Sequence, residues 1–135
     1  MTVEEKISKL KEYGSTKKEL RRLEEEKRDI LAGGLNIVSV LNNMPRGNSV
    51  TDKVGNTSVE LEMIDDKIRI VAKKLKEQRE IIDYEISLLQ DEVQKDVIFK
   101  KYIMLWSYTS IAENMGVSKR TVVRLHAKGI KNMLN

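Results

Sequence analysis

The sequence predicts an all-α chain built as a long antiparallel helical hairpin, coiled-coil-like in its packing, followed by a smaller C-terminal helical domain. Three observations predict it. Apolar residues recur at alternating spacings of three and four over two long stretches. Charged residues make up 34% of the 135 residues, above the ~25% usual for globular chains, so wide faces must be solvated. Phe99, Trp106, four tyrosines and the single proline, Pro45, are too few for the aromatic-rich strands and frequent turns of a β-sandwich or barrel.

The elements follow in order. Gly14 is expected to end a short first helix, and Thr16 followed by Glu19 matches a capping box that opens the next. Leu20, Leu23, Ile30, Ile37 and Leu41 then form a heptad-like stripe over residues 16–42, with Lys27 and Gly34 in the remaining stripe positions. Gly33-Gly34 costs about 1 kcal/mol per glycine relative to alanine and suggests a kink or a close helix contact. Residues 43–56, rich in Gly, Asn, Ser and Thr, read as a flexible connector. A second stripe runs through Leu61, Ile64, Ile68, Val71, Leu75, Gln78, Ile82 and Leu89. Two striped helices joined by one loop fold back most simply as an antiparallel pair. Leu31, Val38, Met63, Ile70 and Ile81 widen the stripe beyond one seam, which gives a homodimer a surface to form on. Asp65-Asp66 and Asp91-Glu92 read as solvated faces and helix-terminal charges, since no acid or histidine is fixed beside them to complete a metal site.

The hairpin body is expected to span residues 1–90 and the second domain residues 91–135, with a break near Gln90-Asp91. Residues 92–105 continue as an amphipathic segment carrying Val93, Val97, Ile98, Tyr102 and Leu105. From Ser107 to Ile130 each position then has a local reason. Ser107 caps a helix that buries Ile111, Ala112 and Met115, Ala112 being small enough to let a second helix approach. Gly116 takes the left-handed conformation that stops it. Val117 points back into the core, and Ser118 caps the next helix. There Val122, Leu125, Gly129 and Met133 share one face at 100° per residue. Arg120, Arg124, Ala127 and Lys131 centre the opposite face, with Thr121, Lys128 and Val123 at its margins. That is the pattern of a helix-turn-helix with a recognition helix. His126 falls nearer the core than the basic face and reads as a packing or hydrogen-bonding residue, and Trp106 as a core anchor.

Charge distribution points the same way. Net charge is only +4, from 25 basic and 21 acidic residues. From Gly116 to Asn135, however, the basic residues Lys119, Arg120, Arg124, Lys128 and Lys131 stand without a single acid. A near-neutral body with a basic C-terminal segment suggests a polyanionic partner. Arg120 and Arg124 are the candidates for base edges. Ser118, Thr121 and Val123 lie at the groove entry and margin, and Lys119, Lys128 and Lys131 are placed for phosphates.

Other functions are disfavoured. The chain has no cysteine, which removes disulfides, thiolate metal sites and cysteine nucleophiles. With His126 as its only histidine it lacks two-histidine metal motifs. Gly33-Gly34 lacks the Lys-Ser/Thr ending of a phosphate loop. No enzymatic activity, cofactor or metal is expected. The charged N-terminus and the lack of any apolar run near ~20 residues suggest a cytoplasmic protein without a membrane partner.

The stretch Tyr102-Ile103, Ser107-Tyr108-Thr109-Ser110-Ile111-Ala112, Met115-Gly116-Val117-Ser118, Val122, Arg124-Leu125-His126 and Ile130 to Leu134 resembles the region-four domain of bacterial sigma factors. It is most similar to the RinA/ArpU-like transcriptional regulators of phages and prophages of Gram-positive bacteria. Asp52-Lys53-Val54-Gly55-Asn56 is similar to a short signature that precedes the long central helix of that family. The chain departs from the family at Lys101, Leu105-Trp106 and Tyr108. The resemblance implies a sequence-specific transcriptional regulator acting on double-stranded DNA, on late genes of a phage or prophage in a bacterial host cell. Two alternatives fit the same architecture. One is a phage DNA-packaging protein like a small terminase subunit, and the other an adaptor that binds RNA polymerase.

Overall fold

The computed structural model describes the backbone of residues 1–43 and 48–134 and the side chains of residues 1–33 and 57–134. The described residues form helices and their connections, with no strand among them. The helices are α1 (Val3–Asn43), α2 (Asn48–Ser87), α3 (Glu92–Ile98), α4 (Tyr108–Met115) and α5 (Lys119–Met133), and α3 continues into a π-helical turn, Phe99–Ile103. Of the connector expected at 43–56, residues 44–47 lie outside the described residues, whereas residues 48–56 are the first turns of α2 and not the loop expected there; the side chains of Ile37, Val38 and Leu41 also lie outside the described residues.

α1 runs unbroken through Gly14, joining the short first helix and the longer one expected on either side of it. Its capping box is made by Thr2 and Glu5. The Glu5 amide donates to Thr2 Oγ1 and the Thr2 amide donates to Glu5 Oε2, both at 3.1 Å, which satisfies two donors reciprocally. Thr16 lies inside the helix, where its hydroxyl donates to the Glu12 carbonyl at 3.0 Å. The expected helix end at Gly14 and capping box at Thr16–Glu19 are therefore corrected. Gly14 serves a different purpose, because a Cβ there would stand 2.9 Å from Leu105 Cδ2. At Gly33, by contrast, nothing lies within 4 Å of where a Cβ would be, so this glycine makes no close helix contact; the surroundings of Gly34 lie outside the described residues.

The chain divides into two compact units, one of Met1–Lys17 with Leu75–Asn135, the other Lys18–Lys74. In the first, Leu10 and Tyr13 of α1, Ile82 and Ile86 of α2 and Leu89 share a core with Ile98, Tyr102, Ile103 and Ile130. This core draws on residues from both sides of position 90. Buried Lys6 forms an ion pair with Glu85 at its edge. A smaller cluster holds Val97, Ile111, Ala112 and Val122, with Trp106, Tyr108, Met115 and Leu125 packed against it. In the second unit Ile64 and Val71 are buried, and Lys27 Nζ pairs with Asp65 at 2.6 Å. Lys27 thus occupies its stripe position with a carboxylate facing it.

The expected break near Gln90-Asp91 is present. α2 ends at Ser87, and Asp91 caps α3 by accepting from the amides of Val93 at 2.9 Å and Gln94 at 3.1 Å. The π-helical turn was not expected. It closes with the Met104 amide donating to the Phe99 carbonyl at 3.1 Å. Leu105 follows at φ 60°, a left-handed conformation that costs a branched side chain about 1–2 kcal/mol. Leu105 and Val93 are 38% and 46% exposed, so neither is buried in the amphipathic face expected for 92–105. Leu105 instead lies against the backbone of α1 at Gly14. Gly14→Val should destabilise the chain by roughly 1–3 kcal/mol through overpacking. Adding Leu105→Ala should recover most of the loss in thermal unfolding.

Candidate nucleic-acid interface

Local chemistry sets the two short helices. Ser107 Oγ accepts from the Ser110 amide at 3.1 Å and starts α4. Gly116, at φ 70° and ψ 32°, ends it in the left-handed region that glycine enters without a Cβ penalty. Ser118 Oγ accepts from the Thr121 amide at 3.2 Å and starts α5. All three match the reading of the sequence. Val117 does not. At 39% exposure it is only partly covered and is not a member of the buried cluster.

α5 buries Val122, His126, Gly129 and Ile130. Glycine at 129 lets two helices approach closely, as a Cβ there would stand 3.0 Å from Ile98 Cγ1 on α3. Asn132 Nδ2 donates to Gln94 Oε1 at 2.8 Å beside this crossing and fixes the rotation of α5. With that face inward, Ser118, Lys119, Arg120, Val123, Arg124, Lys128 and Lys131 are exposed and Thr121 is half-buried. All the residues singled out for nucleic acid thus lie on one short helix and its cap. Among the described residues no acidic side chain pairs with Lys119, Arg120, Arg124, Lys128 or Lys131. The Ser118 and Thr121 hydroxyls are engaged with each other at 2.9 Å.

The orientation of α5 also depends on a polar contact that the sequence reading anticipated only in outline. His126, 6% exposed, has Nε2 at 2.5 Å from the Tyr102 hydroxyl and Nδ1 at 3.4 Å from the Tyr108 hydroxyl. Burial holds both phenols protonated, since it raises the pKa of Tyr102 and of Tyr108. With His126 neutral, one ring nitrogen accepts from one tyrosine hydroxyl and the other donates its N–H to the second. Burial, then the charges of Lys101 and Lys11, lower His126 to about 4. Lys101 Nζ itself stands 4.1 Å from the centroid of the Tyr108 ring, a cation–π contact. Its own pKa is lowered by burial and by Lys11.

The consequence for pH follows in sign. Folded His126 stays neutral down to about 4, whereas the unfolded chain takes up its proton near ~6.5. The unfolded state thus binds more protons between these values, and stability falls as pH drops from about 6.5 towards 4. The loss should be on the order of 2 kcal/mol once water access to the ring edge is allowed for. Denaturant midpoints across this range should fall for the native chain, and His126→Phe should flatten this part of the profile.

A further lysine stabilises the approach to α4. Lys100 Nζ donates to Asp96 Oδ2 at 2.7 Å and to Asn114 Oδ1 at 2.6 Å, which ties the π-helical turn to the last turn of α4. Trp106 is half-buried against the small cluster, in the anchoring position expected of it. No described helix is long and apolar enough to cross a membrane. No group of three or more histidine, aspartate or glutamate side chains converges among the described residues. Compared with protein families, with curated proteins and with solved structures, the chain finds no match in any of the three.

Proposed function

We propose that the chain is a sequence-specific, DNA-binding transcriptional regulator of a phage or prophage, similar to the RinA/ArpU-like regulators and acting on late genes. In this reading α4, Gly116-Val117-Ser118 and α5 are a helix-turn-helix like that of sigma-factor region four. α5 enters the major groove, and α1 and α2 form a long antiparallel hairpin. The observation that carries the proposal is the outer face of α5. Arg120, Arg124, Lys128 and Lys131 stand exposed there, opposite a face that is buried, Lys119 is exposed at the first turn, and none of the five is paired with an acid among the described residues. A solvated surface helix ordinarily mixes both signs of charge.

Arg120 and Arg124 read base edges, as bidentate arginine contacts to guanine do. Lys119, Lys128 and Lys131 hold phosphates and set affinity and salt dependence. Ser118 and Thr121 sit at the groove entry, and Val123 at the margin where it would meet a thymine methyl. The hairpin is supported by α1 pairing with α2 through Lys6–Glu85 in one compact unit and Lys27–Asp65 in the other. In both pairs the residue numbers sum to nearly the same value, as antiparallel helices require.

Binding to fragments of the source genome at low and high salt tests the proposal. Tight, salt-sensitive selection of a fragment upstream of an operon supports it. Selection of a packaging site would move the chain to the DNA-packaging class. Absence of selection together with co-purification of RNA polymerase would make it an adaptor.

A further inference from the structure

One face of α2 has no role in the reading above. Val59, Met63 and Ile70 are 55%, 57% and 70% exposed, in the same compact unit in which Ile64 and Val71 of that helix are buried. At 100° per residue the three fall within about 40° of one another, so they form one apolar row on the side of the helix turned away from its buried stripe. The charges flanking the row are sorted by position. Glu60 and Glu62 stand near its beginning, Lys73 and Lys74 near its end, and all four are exposed. None of the four forms an ion pair within the described residues.

We infer that this face of α2, from Val59 to Lys74, is where two copies of the chain pair antiparallel about a two-fold axis beside Lys67. A two-fold contact must be self-complementary, with residue i of one copy meeting j of the other and j meeting i. If Lys67 lies opposite itself, Met63 and Ile70 of the two copies interdigitate in the seam. On one flank Glu62 meets Lys73 of the second copy, and on the other Glu60 meets Lys74. Each of these four flanking charges then meets its opposite, and Val59 closes each end of the row. A parallel pair would set glutamate against glutamate and lysine against lysine, which is destabilising. The row is too short and its rim too charged to suit a membrane surface or an uncharged partner, but it fits its own reverse. Two like-charge pairs meet at the axis, Lys67 with Lys67 and Asp66 with Asp66; both ammonium groups reach solvent there, and each Asp66 keeps the guanidinium of its own Arg69 at 3.1 Å. The inference does not depend on whether the chain binds DNA.

The chain has no cysteine, so single cysteines report the pairing directly. In the full-length chain Lys67→Cys should form a disulfide-linked dimer under mild oxidation. Val59→Cys should not, because its counterpart lies roughly 24 Å away along the seam. Crosslinking at both positions would establish a parallel pair and overturn the inference, and crosslinking at neither would remove this face from any dimer. A charge exchange gives a second reading by sedimentation equilibrium. Lys73→Glu/Lys74→Glu and Glu60→Lys/Glu62→Lys should each weaken self-association at least tenfold. An equimolar mixture of the two should associate to within about threefold of the native chain, as both flanks are again complementary. Failure of the mixture to recover, with both variants folded by circular dichroism, would overturn the register. Genome-fragment binding by the same variants at concentrations where they are monomeric keeps the DNA proposal separate from this one.

Discussion

Arg120→Ala/Arg124→Ala should lose roughly 2–6 kcal/mol of binding free energy at the preferred DNA site, at about 1–3 kcal/mol for each base-reading arginine. That corresponds to a loss between ~30-fold and ~10⁴-fold in affinity. Binding to unrelated DNA should change little beyond the two charges, so discrimination should collapse faster than affinity. Lys128→Ala/Lys131→Ala is the contrasting pair. It should weaken binding to all sequences alike and lower the salt slope by about two phosphates. Both pairs are exposed and far from the buried face of α5, so thermal stability should stay within about 0.5 kcal/mol. Equal weakening of all DNA by the arginine pair would show that those side chains hold the backbone and read nothing.

Gly129→Leu should be the most damaging single substitution, at about 3 kcal/mol or more, because α3 and α5 cross there with no room for a larger side chain. The Cβ position already lies 3.0 and 3.2 Å from two carbons of Ile98, itself fully buried. Gly129→Ala is the control. The helix propensity it gains, about 1 kcal/mol, should largely offset the few tenths of an ångström by which Ile98 must give way. Ile98→Ala added to Gly129→Leu should recover part of the loss, and urea unfolding of the four variants would show that coupling. Additive losses would mean that the two residues do not compete for one space.

Features governed by chemistry within four residues were readable from the sequence. Ser107 and Ser118 cap, Gly116 takes a left-handed conformation and Asp91 begins a helix because each needs only its near neighbours. The second stripe was readable for the same reason, and so was the exposure of the basic residues of α5. What remained hidden depends on distant contacts. Thr2–Glu5 and Thr16–Glu19 carry the same capping pattern, and only the packing of Leu105 on Gly14, 91 positions away, shows why the helix runs through the second. The π-helical turn leaves no periodic trace, since one extra residue shifts the phase of a short segment by about 100° and no more. His126 could be placed near the core by its angle on α5. Its partners Tyr102 and Tyr108 could not, because they arrive from the π-helical turn and the first turn of α4.

The core shared by Leu10, Tyr13, Ile98, Tyr102 and Ile130 bears on how such chains exchange parts in evolution. Recombination that carried off residues 91–135 alone would take Ile98, Tyr102 and Ile130 without the side chains that cover them. The incoming host would have to supply an equivalent of Leu10 and Tyr13, and a glycine for Leu105 to rest on. Inheritance of this C-terminal segment should therefore travel with the first seventeen residues, and variation should accumulate where a crossover leaves both ends of the chain together.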